Sequence, residues 1–149
     1  MKISKKCEYA LRAVFELASR NSSQPLKIHL IAAAQNMPAR FLEIILNELR
    51  HAGFVESRRG NEGGYMLVRS AEEMNVSEII ECIEGPLSLT ADNANGNGRG
   101  GAYFGDCAFD KLWANVNDAI SQVCSKTTFA QLIEYEKSNG SSFVPNYTI

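Results

Sequence analysis

The stretch 27–68 reads KIHLIAAAQNMPARFLEIILNELRHAGFVESRRGNEGGYMLV. Its apolar spacing predicts a short helix over residues 29–35, and Asn36–Met37 turns the chain. Pro38 suits the first turn of a second helix, where its missing N–H forfeits no hydrogen bond. That helix, residues 38–51, buries Leu42, Ile45, Leu46 and Leu49 on one face, and Gly53 ends it. Residues 54–58 and 65–68 read as two strands joined through Gly60, Gly63 and Gly64, a hairpin with a basic tip. Helix, turn, helix and hairpin in this order predict a winged helix-turn-helix. The expected fold class is mainly α with one small β-hairpin, plus a long helix after the winged domain.

The flanking sequence extends this pattern. Ser4 is a candidate N-cap for a first helix that buries Ala10, Leu11, Val14, Leu17 and Ala18, and residues 21–25 (NSSQP) break it. Past the hairpin, Val76, Ile79, Ile80 and Ile83 share one helical face, which Pro86 closes. Residues 91–105 hold five of the eleven glycines and read as a flexible loop by composition. A helix from about residue 106 to 123 then places Phe109, Trp113, Val116, Ile120 and Val123 at steps of 4, 3, 4 and 3, a heptad seam of about two repeats. The winged domain has its own core, so this seam needs another surface, and a two-fold partner is the expected one. Thr127 or Thr128 caps a final short helix to about residue 137, and the tail SNGSSFVPNYTI is loose or docked as a strand. The expected division is residues 1–86 for the winged domain, 87–108 for a loop, and 109–149 for a dimerisation helix and tail.

At 149 residues the chain is long enough for one well-buried domain. No apolar run approaches the roughly 20 residues of a membrane span, and the start MKISKKCEYALRA lacks a signal-peptide core, so a cytoplasmic protein without membrane contact is expected. The net charge of −2 hides an imbalance. Through Ser70 there are eleven Lys and Arg against six Glu; from Ala71 onward there are four against eleven acidic residues. Such asymmetry points to a polyanion-binding half. Cys7, Cys82, Cys107 and Cys124 form no C-x-x-C pair, so a structural zinc site is not expected and free thiols are.

With its apolar face turned inward, the 38–51 helix presents Arg40, Phe41, Glu43, Ile44, Asn47 and Arg50 outward or on its flanks. A helix of this width fits the major groove of duplex DNA. Arg40 suits a guanine or a phosphate, Phe41 and Ile44 suit thymine methyls, and Glu43 suits cytosine N4 or a neighbouring Arg. At the wing tip, Arg58 and Arg59 can neutralise phosphates or enter a narrow minor groove, and Gly60 allows close backbone approach. Lys2, Lys5 and Lys6, near the start of the first helix, are candidates for flanking phosphates. Phe41 has an alternative reading as a flank residue packed on the first helix.

The motifs MKIS-x-K-x-x-YALRA, RFLE-x-x-L-x-x-LR-x-AGFV, RG-x-x-GGY-x-L and V-S-E-I-I-x-x-I-E-G-P, with C-x-x-x-x-LW opening the long helix, together resemble the Rrf family of bacterial winged-helix regulators. The resemblance spans nearly the whole chain. It implies a homodimeric transcription regulator, a repressor in the first instance, on palindromic operators, with Arg40, Phe41, Glu43, Arg59 and Gly60 against DNA and the long helices crossing at the dimer interface. It also implies that residues 87–108 are a sensor-type loop. Sensors of the family hold an iron–sulfur cluster there with three cysteines, whereas this loop carries only Cys107; Asn95 and Gly101 stand where two others are expected. Asp110 occupies the place of a histidine ligand in one relative. The expectation is therefore no cofactor, with an iron–sulfur cluster as the less favoured reading. A mixed site of Cys107 and Asp110 with a cross-subunit Glu8 or Cys7, or a Cys7–Cys107 disulfide between subunits, are the remaining sensor readings. Cluster-free relatives respond to a regulatory protein or a small-molecule effector. Cys82 and Cys124 are expected to be buried.

No P-loop, G-x-S-x-G or H-E-x-x-H is present, and His29 and His51 lie on helices without a nearby nucleophile, so an enzyme is not expected. The rival to DNA reading is a winged-helix module for protein contact.

Overall fold

A computed structural model describes residues 2–89 and 103–140. The first helix, α1 (Lys5–Arg20), starts where Ser4 Oγ accepts from the Cys7 N–H at 3.1 Å and ends at Asn21 in a left-handed conformation. It is the central element. The helices α2 (Ile28–Ala34), α3 (Ala39–His51) and α4 (Val76–Glu84) pack around it, as does α6 (Phe129–Asn139). Ala10, Ala13, Val14 and Leu17 of α1 share one core with Ile31, Met37, Met74 and Ile79 and the four apolar residues foreseen on α3.

Two antiparallel strands, β1 (Val55–Arg58) and β2 (Gly64–Leu67), form the wing, with Val55 opposite Leu67 and Arg58 opposite Gly64. Tyr65 also exchanges two backbone hydrogen bonds with Leu26 at 2.8 and 2.9 Å, which fastens the wing's base to the segment entering α2. The element boundaries move by one to three residues from those expected, the most at the end of α5 (Asp106–Lys126). The largest shift in role is at Pro38, which is the extended N-cap of α3 and not its first helical residue.

The long helix α5 lies against α4, and Asn117 Oδ1 accepts from the Leu89 N–H at 3.0 Å. None of its residues is buried. It begins inside the stretch assigned to the loop, so Cys107 sits in its first turn. The chain then returns to the winged domain: Thr128 and Gln131 form a capping box at α6, and the Phe129 N–H donates to Met74 O at 3.0 Å. Phe129 is fully buried and belongs to the core, which the division at residue 109 did not foresee. Asn95, Gly101 and the tail beyond Gly140 lie outside the described residues.

Candidate nucleic-acid interface

The amphipathic pattern of α3 fixes what faces outward. Arg40, Ile44 and Asn47 are on the side opposite the buried residues; Arg40 and Ile44 are exposed, Ile44 to 58%, and Asn47 is half-buried. Exposed Glu43 and Arg50 occupy one flank. Phe41 and Glu48 occupy the other, and both are half-buried. No side chain caps the start of α3, which leaves the N–H groups of its first turn without a side-chain acceptor.

The wing stands beside the Glu43 flank. Between them runs an open groove lined by Lys27 and His29 at the start of α2, by Glu43, and by Arg58, Arg59 and Gly60 of the wing. Gly60 has φ +106°, which suits glycine, and the Gly63 N–H donates to its carbonyl at 3.0 Å. Arg58, Arg59 and the wing tip are exposed, and Glu56 is only loosely paired with Arg58 at 3.9 Å. The reading helix and the basic wing therefore share one surface.

Three expected contacts are placed differently. Phe41 meets the Tyr9 ring edge-on, with centroids 5.7 Å apart, so its packing on α1 competes with a role on bases. Lys5 is exposed but paired with Glu8 at 2.8 Å; that hydrogen bond holds the Lys5 ammonium above its ordinary pKa and Glu8 below its own. Lys6 turns to Glu48 of α3 at 2.6 Å. Lys2 is exposed. Sequence reasoning missed Lys27 and His29 as groove residues, because the wing brings them into the site. The signal available was a basic residue immediately before the first helix of the helix-turn-helix.

The seam of α5 is apolar and partly exposed. Phe109, Trp113 and Val123 are 60%, 37% and 67% exposed, while Val116 and Ile120 are half-buried. Leu112 joins this surface, exposed to 46%, although it is outside the 4-3 heptad count.

The sensor residues are not gathered within the protomer. Among the described residues, no group of three His, Cys, Asp or Glu is placed to hold a metal. Cys107 is exposed and Asp110 half-buried on α5, while Glu8 is bound to Lys5 and Arg12 of α1. Cys7 is fully buried, and burial, followed by the nearby Glu84 charge, pushes its thiol up to about 11. This weighs against its reading as a sensor thiol, since the thiolate is the nucleophile and metal ligand. Cys82 and Cys124 are half-buried and not fully enclosed as expected; burial raises both thiols.

A reading helix preceded by an uncapped turn and flanked by a basic hairpin defines a winged helix-turn-helix regulator. The Rrf2 family, described as iron-dependent transcriptional regulators, matches residues 3–135, and the chain belongs to it. It is similar to the HTH-type transcriptional regulator CymR of Bacillus subtilis, with 33% identity over 138 residues and 91% of each chain covered. The solved structure of CymR, the global cysteine regulator of B. subtilis, superposes with a TM-score of 0.78 at 32% identity, covering 91% of this chain and 98% of that one. The IscR structure from T. potens gives a TM-score of 0.73 at 27% identity, with 99% and 95% covered. The chain is thus a DNA-binding transcriptional regulator of the helix-turn-helix class. The iron in the family description finds a poor donor set here. Cys107 is the one cysteine of the 87–108 stretch, and Cys7 is buried and held protonated, so the residues do not fit a three-thiolate cluster.

Proposed function

We propose that this chain works in the cytoplasm, without catalysis, as a homodimer that reads a palindromic DNA operator. In each protomer α3 enters the major groove with Arg40, Ile44 and Asn47 toward base edges and Glu43 beside them. The wing lays Arg58 and Arg59 along the flanking backbone or minor groove. One observation carries this reading: the exposed face of α3 and the basic wing lie on the same side of the domain, across an open groove. The exposed apolar residues Phe109, Trp113 and Val123 of the α5 seam support the homodimer. Such a dimer clamped on its operator excludes other proteins from that duplex, which is repression. A regulatory protein or a small effector, acting without a cluster, sets its occupancy.

Duplex binding measured across a salt series tests the reading. Each phosphate neutralised adds about 0.9 to the slope of log affinity against log salt, so Arg59→Ala should lower the slope by about that amount and weaken all sequences alike. Substitutions at Arg40 or Glu43 should instead change the preferred sequence, with about 1–3 kcal/mol at the position read. Wild-type binding that ignores salt and both kinds of substitution overturns the reading in favour of a protein-contact module.

A further inference from the structure

The flank of α3 turned away from the wing carries a pair that the reading surface does not use. Lys6 Nζ on α1 lies 2.6 Å from Glu48 Oε2, with both side chains about one-third exposed. Two turns earlier on the same flank, Phe41 meets Tyr9 of α1. Positions 41 and 48 lie on one stripe of α3, and Lys6 and Tyr9 lie one turn apart on α1, so two contacts at two levels hold this side of the helix. The Glu43 flank, by contrast, faces the open groove. Successive side chains on a helix are about 100° apart, so even a small roll shifts how Arg40, Glu43 and Ile44 meet the base edges.

We propose that Lys6 and Glu48 are positioning residues: within the orientation that the buried face of α3 fixes, their ion pair trims the roll of α3 about its own axis and thereby the sequence preference of the chain. The inference rests on the DNA reading proposed above. It also assigns Lys6 a partner other than phosphate. The two roles differ in outcome, because a lost or freed phosphate contact shifts affinity for every duplex equally, whereas a rolled helix changes the ratio between duplexes.

The test starts from a duplex selected by the wild-type protein out of a random pool, together with single-base variants of it. The readout is the affinity ratio between the selected duplex and each variant, in which a uniform electrostatic change cancels. Glu48→Gln and Lys6→Glu should each compress that ratio by up to about fivefold, the most a pair about one-third exposed can supply. Thermal unfolding of Glu48→Gln should stay close to wild type. The double swap Lys6→Glu/Glu48→Lys should restore the ratio to within about twofold, since only the pairwise interaction has been rebuilt. Unchanged ratios in both single variants overturn the inference. So does an equal shift on all duplexes that the swap fails to restore, which makes Lys6 a phosphate contact. If the wild-type protein selects no duplex at all, the DNA reading itself falls and takes this inference with it.

Discussion

Gly64→Ala tests how the wing is held. Gly64 opens β2, and a methyl group there would run into the backbone carbonyl of Leu26. Because the obstacle is backbone, no side-chain rotation relieves it, and Leu26 has to withdraw. Its withdrawal strains the two hydrogen bonds exchanged by Leu26 and Tyr65, now 2.8 and 2.9 Å long. At about 1 kcal/mol net for each bond, the variant should lose about 2 kcal/mol. For a chain of this length each kcal/mol moves the melting temperature by about 2–4 °C, so a fall of about 4–8 °C is expected. The measurement is thermal unfolding by circular dichroism at a fixed protomer concentration, because a dimer's stability depends on concentration. The same bonds fix the wing beside α2, so the salt slope of duplex binding should also fall as Arg58 and Arg59 lose a defined position. A melting temperature within about 1 °C of wild type would refute the reasoning, since it would mean the Leu26–Tyr65 bridge contributes far less than two ordinary hydrogen bonds.

Three further outcomes follow from the site. Trp113→Asp places a charge in the exposed seam of α5, and sedimentation should then show a monomer with helix content retained; a persistent dimer would move the interface elsewhere. Thiol labelling at mildly alkaline pH should be fast at exposed Cys107 and slow at Cys7, whose thiol is pushed up to about 11. After mild oxidation of the native protein, a disulfide dimer on non-reducing gels that Cys7→Ser abolishes would contradict the burial of Cys7. Hydrogen bonds from Ser4 hold Glu84, at the end of α4, below the ordinary carboxylate value of 4.5. A depressed carboxylate adds stability above its unfolded pKa and loses it as pH falls through the folded value. Acid unfolding of Glu84→Gln should therefore show a weaker pH dependence below pH 4.5 than wild type, and identical acid profiles would discount the Ser4–Glu84 contact.

The winged domain was legible because its signals are local. Leu42, Ile45, Leu46 and Leu49 repeat with the helical period, and the glycines between Arg59 and Tyr65 mark one hairpin. What escaped depends on contacts between elements distant in sequence. Lys6 looked like a free cation, and only the crossing of α1 and α3 gives it Glu48. Phe129 looked like part of a separate C-terminal unit, yet backbone bonds from Phe129 to Met74 and from Ala130 to Ala71 draw α6 into the core. Cys7 is the informative case. Its place one turn before Ala10 already put it on the inward face of α1, whereas the carboxylate of Glu84 nearby could not be read, and burial with that charge raises its thiol.

The geometry of α3 also bears on why α5 leaves large apolar side chains exposed. Arg40 to Asn47 covers seven residue steps, about 10 Å along the helix axis at 1.5 Å per residue. Duplex DNA advances 3.4 Å per base pair, so this row reaches only about three or four base pairs. Such a short word recurs about once in every hundred positions, while a genome offers about a million or more competing sites. Lengthening α3 would not help, because a straight helix leaves the curved groove after a few base pairs. A second copy related by two-fold symmetry supplies a second word at a fixed spacing and multiplies the selectivity without any new contact in either half. In the proposed dimer the exposed Phe109, Leu112, Trp113 and Val123 would be as much part of sequence recognition as Arg40. A monomeric Trp113→Asp variant should accordingly keep the base preference of one half-site and lose its dependence on the spacing between two.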